Sequence, residues 1–330
     1  MSATVLVVGG AGYIGSAVTE ALRTAGHTPI VFDNFSHGHR GAVPPGVPLI
    51  VGDVGVPSDL DAAFARHRID LVMHFAALIE AGESMRVPER YFRNNSAGTL
   101  TLLEAMLRHQ VKRIVFSSTA ALYGNPERVP IDEDAVQRPT NAYGESKLLA
   151  ERMIEWMNRA HGMRFAILRY FNIAGAVGPD LGEDHRPESH LIPLAMQVAL
   201  GQRPRLSIYG TDYATPDGTC VRDYIHVVDV AHAHLLALDA LEKSDRLIYN
   251  LGNGAGFSVR QVIEAARRVT GRPIPSIEEP RRSGDPAILV ASSERIRRDL
   301  GWTPRHSGID EIVASAWEWH RRHPRGYKGE

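Results

Sequence analysis

Three glycines constrain the fold before anything else does. Gly9, Gly12 and Gly15 are spaced G-x-x-G-x-x-G, follow the β-branched run Thr4–Val8 and open the amphipathic stretch Ile14–Ala25. Strand, glycine turn and helix, in that order, bring a backbone against a pyrophosphate. The first glycines permit the sharp turn and the close approach, the last lets helix and strand pack, and the phosphate gains from the helix N-terminal dipole. The second strand-like run, Pro29–Phe32, leads into Asp33, 18 residues beyond Gly15. A carboxylate there accepts hydrogen bonds from a ribose diol and repels a 2′-phosphate, which points to NAD rather than NADP. Asp53, after the third run Leu49–Val51, is placed to contact an adenine.

The alternation continues. Leu71–Phe75, Arg113–Ser117 and Phe165–Arg169 read as strands, with Asp59–Arg66, Ala97–His109 and Tyr143–Asn158 as helices among them. Such a pattern predicts α/β architecture, a doubly wound parallel sheet with ligands at the carboxyl ends of its strands. Beyond residue 173, loops rich in Gly, Pro and Asp separate short elements, which predicts a smaller α+β lobe for the substrate. Residues 1–173 are expected to form the NAD-binding domain and 174–330 the substrate lobe, with part of about 220–250 returning to the first. Acids (38) and bases (37) nearly cancel, so neither nucleic acid nor an anionic membrane is an expected partner. No apolar run reaches the length of a membrane span or has the flanks of a signal peptide, and a lone cysteine, Cys220, forms no internal disulfide. A cytoplasmic protein is expected.

Tyr143 and Lys147 stand four apart, on one face of the predicted helix. Upstream, at the end of the fifth strand, lies the hydroxyl cluster Ser117-Ser118-Thr119. Lys147 is one of only four lysines among 37 basic residues, so a compact, titratable ammonium is chosen where arginine is the rule. The chemistry this suits is a phenol made into a base. Moving a tyrosine from a pKa near 10 to near 7 takes roughly 4 kcal/mol. An ammonium ~5 Å away at an effective dielectric of 20 supplies about 3 kcal/mol of that. The positive ring of an oxidised nicotinamide supplies the rest, and Thr119 relays a proton at a substrate hydroxyl.

These motifs resemble the extended short-chain dehydrogenase/reductase family and, within it, the UDP-glucose 4-epimerases. The likeness also rests on His74-Phe-Ala-Ala77, Asn94-Asn95, the run Phe116 to Gly124, Arg169-Tyr-Phe-Asn172, the run Gly218 to His226 and Arg281 to Asp285, and spans about residues 3–320. The resemblance implies that Tyr13, Ile14, Asp33, Asn34, Asp53, Val54, Phe75, Ala76, Ala77, Asn95, Lys147 and Phe171 line the NAD site. It implies that Asn172, Leu191, Ser207, Ile208, Tyr209, Arg222, Arg282 and Asp285 hold a UDP-sugar, with two arginine forks on its diphosphate. It also implies a homodimer, formed through the helices Ala97–His109 and Tyr143–Asn158.

Three departures from the family stand out. Ile79 replaces a lysine, His190 an asparagine beside the uridine, and Leu289 a tyrosine at the position that limits sugar size, which leaves room for an N-acetyl group. Thr119 is followed by Ala120 and Ala121 rather than by the carboxylates that 4,6-dehydratases resemble this chain in all but possessing, so hydride chemistry at C4 remains. A dehydratase, a pentose or uronate epimerase and a non-catalytic NAD sensor are the alternatives. No metal is expected: His232 and His234 are spaced to face different ways on a helix. His37 and His39 are expected to be solvated.

Overall fold

In the computed structural model, residues 2–282 and 285–327 are described. The chain forms two compact units, one of Met1–Gly124, Gln137–Arg169 and Ala231–Tyr249, the other of Asn125–Val136, Tyr170–Val230 and Asn250–Glu330.

The first unit is built on a seven-stranded sheet. Six strands come from the first half of the chain: β1 (Thr4–Val8), β2 (Thr28–Asp33), β3 (Leu49–Val51), β4 (Leu71–His74), β5 (Arg113–Thr119) and β6 (Arg164–Tyr170). The order across the sheet is β10-β6-β5-β4-β1-β2-β3, with β10 being Arg246–Leu251. β1 pairs in parallel with β2 and with β4, β2 with β3, and β4 with β5. The chain winds outward in both directions from β1, so the strand order reverses between β1 and β4, where an open α/β sheet leaves a crevice at its carboxyl edge. β1 and β4 are buried along nearly their whole length, because helices cover both faces, and this is why their sequences are continuously apolar rather than alternating. A single core of Leu6, Ile30, Phe32, Leu102, Met106, Phe116, Ile154 and Phe165 with their neighbours holds these layers together.

The strands and helices expected from the sequence are present, with ends moved by one to three residues. The Tyr143 helix runs on to His161, and β5 continues through Ser118 to Thr119.

The second unit carries β7 (Asn172–Ala174), β8 (Leu206–Tyr209), β9 (Val221–His226), β11 (Gly256–Ser258), β12 (Ser276–Glu279) and β13 (Ile288–Leu289). β9 is its hub, pairing with β7 and β13 in parallel and with β11 antiparallel, while β8 pairs with β12. Its helices Leu191–Ala199, Val259–Thr270 and Ile309–Arg322 bury Ile192, Met196, Val262, Ile263, Ile312 and Val313 in a second core. Trp319 is buried in this unit, its ring stacked on His323, and Trp317 packs against the same core. Among the described residues no helix is long and apolar enough to cross a membrane.

Candidate active site

In the first unit the glycine turn closes as its spacing requires. Gly9 has φ +81°, and a Cβ there would stand 2.4 Å from the Ala76 nitrogen, so the turn lies directly against the chain leaving β4. A Cβ on Gly15 would fall 2.1 Å from the Gly9 carbonyl oxygen. The helix Tyr13–Thr24 begins at Gly12 with no side-chain cap and no acidic residue in its first turn. A helix start presents amide groups that favour an anion, and no acidic side chain stands in this first turn to oppose one. Tyr13 and Ile14 open this turn. Asp33 ends β2 beside it, where its two oxygens accept the N–H groups of Ala11 (2.9 Å) and Phe35 (2.8 Å). Burial pushes its pKa up, against those two hydrogen bonds. Each carboxylate oxygen keeps a lone pair for a diol. An amide cradle with a fixed carboxylate beyond it fits a dinucleotide.

Other expected cofactor residues divide into those that face outward and those that hold the frame. Asn34 donates from its amide to Asp53 (2.8 Å), and Asp53 also accepts from Gly55 (2.7 Å), which makes a fixed loop of the two. The Val54 side chain belongs to the core, so only its backbone can meet a ligand. Phe75 and Ala76 donate backbone hydrogen bonds to Val8 (2.7 and 3.1 Å), and the Phe75 ring rests against His234. Ala77 follows, partly exposed. Asn95 is fully buried. Its amide receives from Leu78 N–H (2.8 Å) and donates to the Leu78 carbonyl (3.0 Å) and Ser146 Oγ (3.0 Å). It is therefore a clamp between the β4 exit and the Tyr143 helix, and its amide is spent on the protein. The stretch Phe92–Ala97 that carries it is a π-helical turn, which aims the side chain inward. His39 is buried, not solvated, because its N–H donates to the Ala11 carbonyl (2.9 Å) beneath the glycine turn.

Tyr143 and Lys147 lie in the helix Ala142–His161, capped by Asn141, whose side chain accepts from Gly144 N–H (2.8 Å). A Cβ on Gly144 would stand 2.7 Å from the Ala121 carbonyl oxygen. The missing side chain thus lets the helix start press against the turn after β5, and the phenol of Tyr143 hydrogen-bonds Thr119. Lys147 is buried, with its Nζ 4.2 Å from the centre of the Phe116 ring. Burial lowers its pKa to about 7, with the Glu151 carboxylate opposing.

This revises the expected electrostatics. Burial raises the pKa of Tyr143, the Thr119 hydrogen bond lowers it, and the Glu80 charge raises it further. Lys147 is itself pushed toward neutrality by its burial, so the support its charge gives a phenolate depends on the Glu151 carboxylate that opposes that burial. Below Lys147 runs a buried network that the sequence did not reveal. Glu151 accepts from Arg169 Nη2 (2.7 Å), Arg169 Nε (3.1 Å) and Ser118 Oγ, and Arg169 also donates to the Tyr123 oxygen (2.8 Å). His74, 2.9 Å from Thr99 Oγ1, is held neutral: burial and the Lys147 charge bring its pKa to about 3.

In the second unit the residues around Arg222 converge. Arg222 donates from Nη1 to the carbonyls of Val221 and Pro286 (2.9 Å each), and its Nη2 stands 3.8 Å from Asp285. Leu289 lies beside it in the β13–β9 register. Arg282 stacks 3.8 Å over the Tyr209 ring. On β8, Ser207 and Tyr209 face out while Ile208 is buried in the core, so Ile208 can contribute only backbone. Asn172 and Leu191 are partly exposed, and Phe171 is buried with its N–H on the Leu251 carbonyl (3.1 Å). His190 lies at the start of the helix Leu191–Ala199, partly exposed, with its Nδ1 turned to Glu183 (3.0 Å) and Glu188 (3.2 Å). Asp223, next to Arg222, is fully buried and accepts from Asn253 (2.7 Å), Gly254 (3.0 Å) and Ala291 (3.0 Å). Burial lifts its pKa to about 6. It fixes the loops around β9, a role that its motif alone could not distinguish from ligand binding.

Comparison with known proteins places this arrangement among relatives. Residues 5–252 match the NAD dependent epimerase/dehydratase family. The chain is 53% identical over 329 residues to the UDP-glucose 4-epimerase of Halalkalibacterium halodurans, covering 99% of this chain and 98% of that one. A crystal structure of a UDP-glucose 4-epimerase superposes with a TM-score of 0.96 at 47% identity, over 99% of this chain and 100% of that one. The enzyme from Bifidobacterium longum, solved with NAD+ and UDP, gives 0.95 at 39% identity over 98% and 100%.

Proposed function

This chain belongs to the NAD dependent epimerase/dehydratase family, and from that premise we infer that it is an enzyme interconverting UDP-glucose and UDP-galactose by NAD-dependent chemistry at C4. The observation that carries the reading is the Tyr143 phenol, hydrogen-bonded to Thr119 and one helical turn from a buried lysine, in the unit that also carries the glycine cradle and Asp33. NAD bound there supplies the acceptor, and then the donor, of the C4 hydride. The first-turn amides after Gly12 would hold its pyrophosphate and Asp33 its ribose diol.

Tyr143 takes the O4 proton of the sugar while C4 is oxidised. The 4-keto sugar turns about its bond to the diphosphate and presents its other face, and Tyr143 returns the proton there. Thr119 hydrogen-bonds the phenol and steadies the phenolate. Arg222 and Arg282 hold the diphosphate, which must stay gripped while the sugar turns. Ala120 and Ala121 leave no carboxylate after Thr119 to eliminate water, which favours epimerisation over dehydration. Leu289 in place of a larger side chain leaves room for an N-acetyl group, so UDP-N-acetylglucosamine belongs to the same proposal. So does a homodimer formed through the helices Gly98–Arg108 and Ala142–His161, the second of which leaves Trp156 exposed.

Incubation with UDP-galactose and no added NAD tests the reading. An equilibrium mixture of glucose and galactose forms is expected. A 4-keto-6-deoxy product would instead make the protein a dehydratase, and no change a sensor. Tyr143→Phe should lower kcat by roughly 10²- to 10⁴-fold while UDP still binds, and a near-normal kcat would refute the base assignment.

A further inference from the structure

One cluster in the second unit plays no part in the chemistry above. Glu183, His185, Glu188 and His190 follow one another as E-x-H-x-x-E-x-H, in the loop that runs into the helix Leu191–Ala199. Each presents one ligand-type atom, and these four atoms lie within 4.8 Å of one another. His185 Nδ1 is 3.3 Å from Glu183 Oε1 and 3.9 Å from Glu188 Oε2. His190 Nδ1 is 3.0 Å from Glu183 Oε1 and 3.2 Å from Glu188 Oε1.

A zinc ion takes nitrogen at about 2.0–2.1 Å and oxygen at about 2.0–2.2 Å, so a tetrahedron of such ligands has edges of roughly 3.3–3.5 Å. The four nitrogen–oxygen separations, 3.0 to 3.9 Å, fall around that length, with Glu188 turning one oxygen toward each histidine. The two carboxylates are only 4% and 5% exposed, and among the described residues neither meets a lysine or arginine. Glu188 Oε1 also accepts the backbone N–H groups of Ser189 (2.7 Å) and His190 (2.8 Å), and the remaining negative charge is balanced either by protonated imidazoles or by a dication held between neutral ones. The adjoining cavity, about 200 Å³, is walled by Glu183, His185, Glu188 and Trp319. The buried Trp319 indole N–H has no hydrogen-bond partner among the described residues, the mark of a cavity with polar contents rather than an apolar void.

We propose that Glu183, His185, Glu188 and His190 form a structural zinc site that ties this loop to the start of the helix Leu191–Ala199. Two nitrogens and two oxygens suit zinc better than magnesium or calcium, which prefer more, all-oxygen ligands. Four protein ligands close the shell, as structural rather than catalytic zinc sites require. The alternative is that protons, not a metal, hold the carboxylates to the imidazoles.

The test uses the full chain, passed over a chelating resin and analysed for metals by mass spectrometry. About one zinc per chain is expected in the wild type and under about a tenth of that in His185→Ala. Replacing zinc by cobalt in the wild type should give the intense visible bands of a four-coordinate ion, a readout that does not depend on the variant folding. A wild type that takes up no zinc or cobalt at equimolar addition would overturn the site in favour of the proton-held cluster. Equal metal in wild type and a folded His185→Ala would also overturn it, marking an adventitious ion only.

Discussion

Replacing Glu151 by glutamine tests the frame that carries the Tyr143 helix. Arg169 and Glu151 are 2% and 4% exposed, and the guanidinium meets both carboxylate oxygens. An amide in the carboxylate's place keeps the shape and removes the charge, so Arg169 is left as an uncompensated cation in the core. Breaking a buried pair from one side costs about 3–5 kcal/mol, or roughly 150- to 5,000-fold in the unfolding equilibrium constant. Glu151 is also the group that holds the Lys147 pKa up to about 7, so its loss should drive that pKa lower. Urea titration followed by circular dichroism, extrapolated to zero denaturant, measures the first effect. Adding Arg169→Met to Glu151→Gln should restore at least half of the lost stability, because no buried charge then remains. A loss below about 1 kcal/mol in the single variant, or no recovery in the double, would refute the view that this pair is fully desolvated.

The remaining predictions concern the site itself. Thr119→Val removes the hydrogen bond that lowers the Tyr143 pKa. At about 1.5–3 kcal/mol for a bond to a charged group, kcat should fall roughly 10- to 150-fold and the ascending, low-pH limb of its pH profile should move up. Gly15→Ala forces a methyl to 2.1 Å from the Gly9 oxygen, so the purified protein should carry at least ~10-fold less NAD when its nucleotides are released and quantified. His74 titrates near 6.5 unfolded and near 3 folded, so its contribution is fully present above pH 6.5 and is lost as the pH falls toward 3. At full extent this amounts to about 5 kcal/mol, and the urea midpoint should fall between pH 7 and pH 5 less steeply in His74→Gln than in the wild type.

What the sequence disclosed, and what it withheld, divides along the range of the interaction. The glycine turn, the strands beside it and the Tyr143 helix are set by neighbours in sequence, through β-branched runs, a turn that only glycine fits and a helical period, and so were readable. Glu151 with Arg169 and Tyr123 is assembled across 18 and 46 residues, and no local pattern marks it. Asn95 was placed at the NAD site by the resemblance of its Asn94-Asn95 segment, and only the fold shows its amide bonded to Leu78 and Ser146. The E-x-H-x-x-E-x-H spacing stands in the chain, but in a loop of no fixed period its four side chains are brought together only by the fold.

The same distinction bears on Lys147. The arithmetic for an ammonium ~5 Å away takes its charge as fixed. Burial beneath the helix brings the amine to about 7, so near neutrality its charge depends on a carboxylate one turn away. That carboxylate is itself shared with a guanidinium 18 residues on, in β6. A tyrosine base in such a place draws on Thr119 directly, and on Lys147 only as far as Glu151 keeps it protonated. The buried Glu151–Arg169 pair therefore acts on the reaction without touching substrate. Its influence should appear as a displacement of the kcat pH profile in Glu151→Gln, at pH values where the folded fraction is still complete. An unshifted profile in folded Glu151→Gln would mean that Lys147 holds its proton by other means.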